Sequence, residues 1–196
     1  MEKQTITLLL FIKKGRPFLI ASQKKPSTRT GKSSFPEPAA RLGSKILEFY
    51  NKFKENFDPQ ENVCSTLRYA DRIVLVHPMS IPEGDSAEIL EQFLNRSGKK
   101  HGIWMVLDSI LALMGGILTP IPGPNLFFFY PAARAFSHYF ARKGVNTANA
   151  IEEKDFTTNP LLDTIQNNIT DLETVSAEIN KLEEVCRCWH IQRLLS

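Results

Sequence analysis

A single proline-broken apolar segment, between His101 and Lys143, restricts the folding of this chain more than any other feature. Sixteen nearly continuous apolar residues run from Ile103 to Leu118, and a second apolar run covers Leu126–Phe136. A membrane-spanning helix needs about 20 apolar residues, so the first run is too short by itself. The three prolines between the runs cannot continue a helix. The segment therefore predicts a helical hairpin, membrane-embedded or re-entrant, whose turn contains Pro120, Pro122, Gly123, Pro124 and Asn125.

Two charged residues interrupt the apolar arms at matching positions. Asp108 lies thirteen residues before Ile121 and Arg134 lies thirteen residues after it, so a hairpin turning near Ile121 places both at one depth. An isolated charge in an apolar zone costs a few kcal/mol, and pairing is the usual remedy. We therefore predict that Asp108 and Arg134 form an embedded charged pair.

Basic residues flank both arms of the hairpin. Because Lys99 and Lys100 precede the first arm, and Arg142 and Lys143 follow the second, a hairpin places all four on one side of a membrane. The alternative is a hairpin buried in a protein core. The remaining amphipathic helices are too few to cover so continuous an apolar surface, which favours membrane association.

The front of the chain is basic and the back is acidic. Eight basic residues and no acidic one lie between Lys3 and Pro36, whereas nine acidic residues lie between Ile151 and Glu184. Anionic lipid headgroups attract such a front at roughly 1 kcal/mol per basic residue. Nucleic acid and a merely solvated loop remain alternatives, of which nucleic acid is disfavoured. The predicted membrane-surface residues are Lys13, Lys14, Arg16, Lys24, Lys25, Lys99, Lys100, Arg142 and Lys143.

The first half of the chain carries both strand and helix patterns. Thr5–Ile12 and Pro17–Ala21 are apolar runs separated by Lys-Lys-Gly-Arg, which predicts a β-hairpin. Residues 22–38 are rich in proline and basic residues and predict a loop. Apolar positions from Ala39 to Phe57 recur at helical spacing, and Pro59 is expected to end that helix.

The pattern continues with a short helix at Thr66–Ala70 and a buried strand at Arg72–Val76. A turn at Pro82–Asp85 and a helix capped by Ser86 follow, and that helix is expected to end near Gly98. The fold class is therefore α+β.

Three regions are predicted: residues 1–98 as an α+β unit, residues 99–144 as the apolar hairpin, and residues 145–196 as an acidic linker followed by an amphipathic helix. In the last region, apolar residues step by three and four from Leu162 to Cys186. The heptad spacing permits a coiled coil, but packing against the same chain is favoured slightly.

No enzymatic site is recognisable in the sequence. His77 follows a strand, where functional groups often project, but no nucleophile or patterned carboxylate accompanies it, so a turn residue is the favoured reading. Cys186, Cys188 and His190 alternate, and residues two apart on a helix do not converge on one metal ion. We therefore expect no enzyme, cofactor or metal.

Residues 100–144 contain a recognisable set of positions: His101, Trp104, Asp108, Ile121–Asn125, Tyr130, Arg134, Ser137, His138 and Gly144. In these positions the sequence resembles a known family, the mitochondrial potassium–proton exchange related proteins. Weaker similarity extends back to His77-Pro78 and forward to Phe156 and Asn159-Pro160.

The resemblance implies a membrane accessory component of a potassium–proton exchange system, with another membrane protein forming the exchanger. It would support cation homeostasis and organelle volume, in the mitochondrial inner membrane of a eukaryote or the cytoplasmic membrane of a bacterium. The alternative is a peripheral scaffold that binds lipid or protein and has no role in transport.

Overall fold

The computed structural model describes residues 4–13, 15–22, 58–117, 126–168, 173–186 and 191, and within them the chain forms a mixed four-stranded sheet with helices. The strands are β1 (Thr5–Lys13), β2 (Arg16–Ala21), β3 (Arg72–His77) and β4 (Lys154–Thr158), in the order β2-β1-β3-β4. β1 is antiparallel to β2 and parallel to β3, and β3 is parallel to β4. The predicted α+β class is confirmed.

The predicted hairpin and buried strand are confirmed. β1 pairs with β2 across a turn in which Gly15 has a φ of 71°, a conformation that glycine adopts without strain. β4 lies within the region that was expected to be a linker, so that prediction is wrong there. Its sequence, Lys-Asp-Phe-Thr-Thr, has one large apolar residue, and it pairs with β3 over five positions, beside an exposed Arg72–Asp155 ion pair of 2.5 Å.

Helices cover both faces of the sheet. The helices are α1 (Pro59–Thr66), α2 (Glu83–Ile117), α3 (Leu126–Ala150), α4 (Pro160–Asn167) and α5 (Ser176–Cys186), with a 3₁₀ turn at Leu67–Tyr69. Because successive residues of a strand point to opposite faces, Leu8 and Leu10 pack with α1, α2 and α3, whereas Leu9 and Phe11 pack with α4 and α5.

The apolar hairpin is confirmed as two packed helices, but its first arm is longer than expected. α2 is one helix of 35 residues that passes through Gly98, so the predicted helix end at Gly98 is wrong, as is the predicted turn at Pro82–Asp85, where α2 begins. The region boundary placed after residue 98 falls inside this helix. At about 1.5 Å per residue α2 is roughly 50 Å long, and its far end must extend well beyond a strand of about 20 Å.

The two arms approach closely near the turn. A Cβ at Gly115 would collide with the carbonyl of Phe127, so only glycine permits this approach. Pro131 lies four residues after Phe127 and has no N–H to donate to that carbonyl. The helical hydrogen bond that Pro131 cannot make is thus missing where the two arms lie in close contact. The predicted turn residues, Pro120, Pro122, Gly123, Pro124 and Asn125, lie outside the described residues.

One other prediction of a helix end is corrected. The single C-terminal helix is wrong, because α4 ends at Asn167 and α5 begins at Ser176. Pro59 is the first residue of α1, which Asp58 caps by accepting a hydrogen bond from the N–H of Gln60 at 2.9 Å. The predicted loop at 22–38 and helix at Ala39–Phe57 lie outside the described residues, so the end of that helix before Pro59 stays a prediction.

Candidate functional site

Polar side chains converge where α1 crosses the α2–α3 hairpin. Among them Glu61, His101 and His138 are 1–2% exposed, and Asp108 is 9% exposed. Such groups are rarely buried unless they are paired. The cluster, here called the polar cluster, consists of Glu61 from α1, His101 and Asp108 from α2, and Arg134, Ser137 and His138 from α3.

Besides the packing of Val63 and Cys64 in the core, one glycine and one surface ion pair locate α1 on the hairpin. A Cβ at Gly144 would collide with the carbonyl of Cys64, so glycine permits α1 to lie directly on α3. Asp58, which caps α1, also forms an ion pair with Lys100 on α2, in which Oδ2 of Asp58 lies 3.1 Å from Nζ of Lys100. These two contacts bring Glu61 between the arms of the hairpin.

Glu61 is held by two groups of α3. The Arg134 guanidinium lies 3.2 Å from its Oε2, and the Ser137 hydroxyl donates to its Oε1. Burial raises the pKa of Glu61, although the Arg134 charge acts in the opposite direction. The charge of the buried carboxylate is thus compensated by Arg134, whose side chain is 21% exposed.

His101 and His138 face each other through their Nδ1 atoms, which are 2.9 Å apart. Arg134 Nη2 lies 3.1 Å from Nε2 of His138, and since arginine only donates, this Nε2 is the acceptor. His138 then carries its proton on Nδ1 and donates it to Nδ1 of His101. Burial lowers the pKa of His101 to about 4 and that of His138 to about 3, so both rings are neutral at pH 7.

Asp108 is the least satisfied member of the polar cluster. Its buried Oδ2 has no hydrogen-bond partner, although it lies 3.4 Å from Nε2 of His138. The tautomer explains this, because an Nε2 that accepts from Arg134 has no proton to give. Burial raises the pKa of Asp108, and the Arg134 charge lowers it.

The structure therefore brings the predicted pair, Asp108 and Arg134, into one cluster at one level of the hairpin. Arg134 influences Asp108 through its charge and forms an ion pair with Glu61. A direct contact between Asp108 and Arg134 stays a prediction.

The far part of the hairpin exposes an apolar surface, here called the apolar tip. Of the sixteen large hydrophobic residues that are exposed in the described parts of the chain, thirteen belong to α2 and α3. They are Ile103, Trp104, Val106, Leu107, Ile110, Leu111, Leu113, Met114, Ile117, Phe127, Tyr130, Phe136 and Tyr139. Among the helices described, none combines the length and the apolar character that crossing a membrane requires.

The predicted basic residues of the hairpin lie at the base of the apolar tip. Lys99, Lys100, Arg142 and Lys143 are all exposed, and a side chain at Gly102 would contact Arg142, which places the two pairs at one level. Lys13 and Arg16 flank the β1–β2 turn. Lys14, Lys24 and Lys25 lie outside the described residues.

The remaining candidates are placed as follows. His77 is the last residue of β3, where it is buried and pairs with Thr158, so its interpretation as a turn residue is wrong. Its Nδ1 donates to the carbonyl of Pro78 at 3.0 Å. Cys186 is buried against the second face of the sheet. Cys188 and His190 lie outside the described residues.

Sequence reasoning missed Glu61 and the joint role of the two histidines. His101 and His138 were noted only as part of a resemblance, and Glu61 lies in a polar stretch that carries no pattern. One signal was available: His101 and His138 are on opposite arms and nearly equidistant from Ile121, at twenty and seventeen residues. The counting about Ile121 that predicts a pair of Asp108 and Arg134 also brings these two rings to nearly the same level of the hairpin.

Comparison with known proteins identifies a family. No characterised protein and no solved structure is significantly similar to the chain. The sequence pattern of the family described as mitochondrial K⁺-H⁺ exchange-related matches residues 20–151, which is more than half of the 196 residues and includes the whole polar cluster. The chain therefore belongs to the mitochondrial K⁺-H⁺ exchange-related family.

Proposed function

We propose that this protein is a non-catalytic accessory component of a potassium–proton exchange system, and that its apolar tip holds it on the mitochondrial inner membrane. The family description supports the exchange process and the mitochondrial setting. The observation that carries the membrane role is the exposed apolar tip. Soluble monomers rarely expose apolar patches larger than a few hundred Å², and larger ones mark interaction sites.

The chemistry around the apolar tip favours anionic lipid as its occupant. Between Ile103 and Lys143 the one acidic residue is Asp108, which is buried, so the exposed surface carries no negative charge. Lys99, Lys100, Arg142 and Lys143 form a positive collar at its base. Trp104 and Tyr139 are half-exposed next to this collar, and such aromatic residues favour the boundary between headgroups and acyl chains.

A groove along the hairpin joins the collar to the apolar tip. It is a cavity of about 720 Å³ between α2 and α3, in which Lys99 and Arg142 lie in the middle. Ile103, Val106 and Leu107 line its apolar end, and the asparagines Asn95, Asn146 and Asn149 line the polar end. Along the groove, basic residues are followed by apolar ones. A phospholipid matches this sequence, because its anionic headgroup is followed by acyl chains. The ion path itself is assigned to a separate membrane protein, because one apolar segment supplies too few residues for several crossings.

Binding to vesicles tests the membrane role. The purified chain is expected to float with vesicles of phosphatidylcholine and phosphatidylglycerol, and more weakly with pure phosphatidylcholine. A Leu113→Glu, Ile117→Glu variant should lose binding to both. A Lys99→Glu, Arg142→Glu variant should lose the preference for anionic vesicles, by roughly 5-fold per residue, since each contributes about 1 kcal/mol near an anionic surface.

The matched control is Val185→Glu, which places a new charge on an exposed apolar residue of α5, outside the hairpin. Its binding should equal that of the unchanged chain. If the Leu113→Glu, Ile117→Glu variant also binds as well as the unchanged chain, the apolar tip is not the membrane contact.

The exchange role requires a separate measurement. Mitochondria that lack this protein are expected to show slower potassium-driven swelling, and the intact chain should restore the rate whereas the Leu113→Glu, Ile117→Glu variant should not. Unchanged swelling in its absence, together with normal vesicle binding, would favour the alternative of a peripheral scaffold.

A further inference from the structure

We propose that Glu61, His101 and His138 form a binding site for a divalent transition-metal ion, with Zn²⁺ as the ion best suited to it. The three ligand atoms all lie within 4.8 Å of one another, and each side chain is buried. Each ligand comes from a different helix, so the ion would join α1, α2 and α3. This inference does not depend on the proposed role in exchange.

The donor set and its spacing suit the ion. Two histidines and one glutamate are the protein ligands of a known class of zinc site, in which a fourth position stays open. Zinc–nitrogen bonds of about 2.0–2.1 Å in a tetrahedral arrangement place ligand atoms roughly 3.3 Å apart. The Nδ1 atoms of the two histidines are 2.9 Å apart, and Nδ1 of His138 is 3.8 Å from Oε2 of Glu61. Shifts of a few tenths of an ångström would bring both distances to that value. The two rings would also have to turn toward a common point, because their centroids are 5.1 Å apart and their Nδ1 atoms point almost directly at each other.

Asp108 supplies a second, independent observation. If Nδ1 of His138 binds a metal ion, its proton must lie on Nε2, which is 3.4 Å from Oδ2 of Asp108. The buried oxygen without a hydrogen-bond partner would then accept that proton. Metal-bound histidines usually donate their second N–H to such a carboxylate, which fixes the ring and raises its basicity.

The remaining members of the polar cluster fit the same arrangement. The Ser137 hydroxyl holds Oε1 of Glu61 and leaves Oε2 directed toward the two rings. Arg134 opposes the ion, because its charge lies beside Glu61 and its Nη2 contacts Nε2 of His138. It would have to leave that nitrogen, and its partly exposed side chain has solvent available.

Titration of the chelator-treated full-length chain with Co²⁺ and Zn²⁺ tests the site. We expect one ion per chain and the intense visible absorption of Co²⁺ in a four- or five-coordinate site, which Zn²⁺ displaces. His101→Ala and His138→Ala should each lower the affinity at least 100-fold. Asp108→Asn should lower it roughly 10- to 100-fold, as is typical of a carboxylate that supports a ligand.

Two further variants separate metal binding from folding. Arg134→Met should bind Zn²⁺ more tightly than the unchanged chain, because it removes the opposing charge, and loss of structure alone would not produce this gain. Cys188→Ser with His190→Ala should leave the affinity unchanged, which excludes adventitious binding near the C-terminus. The proposal is overturned if the folded, unchanged chain binds no ion, if His101→Ala and His138→Ala retain full affinity, or if Arg134→Met weakens binding.

Discussion

Replacing Arg134 by methionine is expected to lower the free energy of unfolding of the metal-free protein by about 3–5 kcal/mol, the usual effect of removing one partner of a buried ion pair. Arg134 is the cation that lies beside Glu61, and its charge also acts on Asp108. Methionine keeps much of the apolar stem but leaves two buried acids without that compensation. Chemical denaturation of the chelator-treated variant measures the loss.

The loss should depend on pH in a defined direction. Burial already raises the pKa values of Glu61 and Asp108 above their ordinary 4.5 and 3.8, and Arg134 lowers both. Without Arg134 the two pKa values rise further in the folded state. A folded pKa above the unfolded value gives stability that is present at low pH and is lost as the pH rises through the folded pKa. The free energy of unfolding of the variant should therefore differ less from that of the unchanged protein at pH 5 than at pH 8.

Two controls accompany the arginine variant. Arg96→Met changes the same residue type at an exposed position of α2 and should alter stability by less than about 0.5 kcal/mol. The double variant Arg134→Met, Glu61→Gln should lose less than the sum of the two single variants, because neither charge remains unpaired. Additive losses would show that Arg134 and Glu61 do not stabilise each other.

Replacing Gly144 by alanine is the second change with a large expected effect. Its Cβ would overlap the carbonyl of Cys64, and this is backbone that cannot rotate away. Overpacking usually costs about 1–3 kcal/mol, and a collision with backbone belongs at the upper end of that range. Because α1 must move, Glu61 moves with it, so the variant should also lose affinity for Zn²⁺.

The matched control is Gly84→Ala, near the start of α2, where an added Cβ meets nothing within 4 Å. Alanine there should be neutral or stabilise by about 0.4–1 kcal/mol, because it restricts the unfolded chain. Thermal unfolding of both variants provides the comparison. Equal stability of the Gly144 and Gly84 variants would mean that α1 is free to shift away from α3.

Part of this fold could be predicted from the sequence because its signals are local. The β1–β2 hairpin is encoded by apolar runs on either side of Lys-Lys-Gly-Arg, and the helical hairpin by prolines between two apolar arms. The level of Asp108 and Arg134 followed from simple counting about Ile121. Such features depend on neighbours along the chain.

The rest could not be predicted because it depends on distant contacts. The helix α2 passes through Gly98, and glycine there suits the close packing of Val145, whose Cγ1 would lie 3.3 Å from an added Cβ. Glu61 becomes part of the polar cluster only when α1 crosses α3, 73 residues away from Arg134. The short strand β4 pairs with the edge of β3, and its five residues give too short a pattern to predict it, although phenylalanine and threonine favour strands.

In the sequence, the α2–α3 hairpin lies between β3 and β4, which are neighbours in the sheet, and this order has a consequence for how the protein folds. β3 and β4 are adjacent and parallel, yet paired residues such as Ile73 and Lys154 are separated by the whole of α2 and α3. Pairs so distant in sequence form slowly, because the intervening loop must first close. The α2–α3 hairpin shortens that loop when it forms, so it should precede the pairing of β4. The apolar tip is then exposed before the sheet is complete, and the newly made chain is most prone to aggregation during that interval.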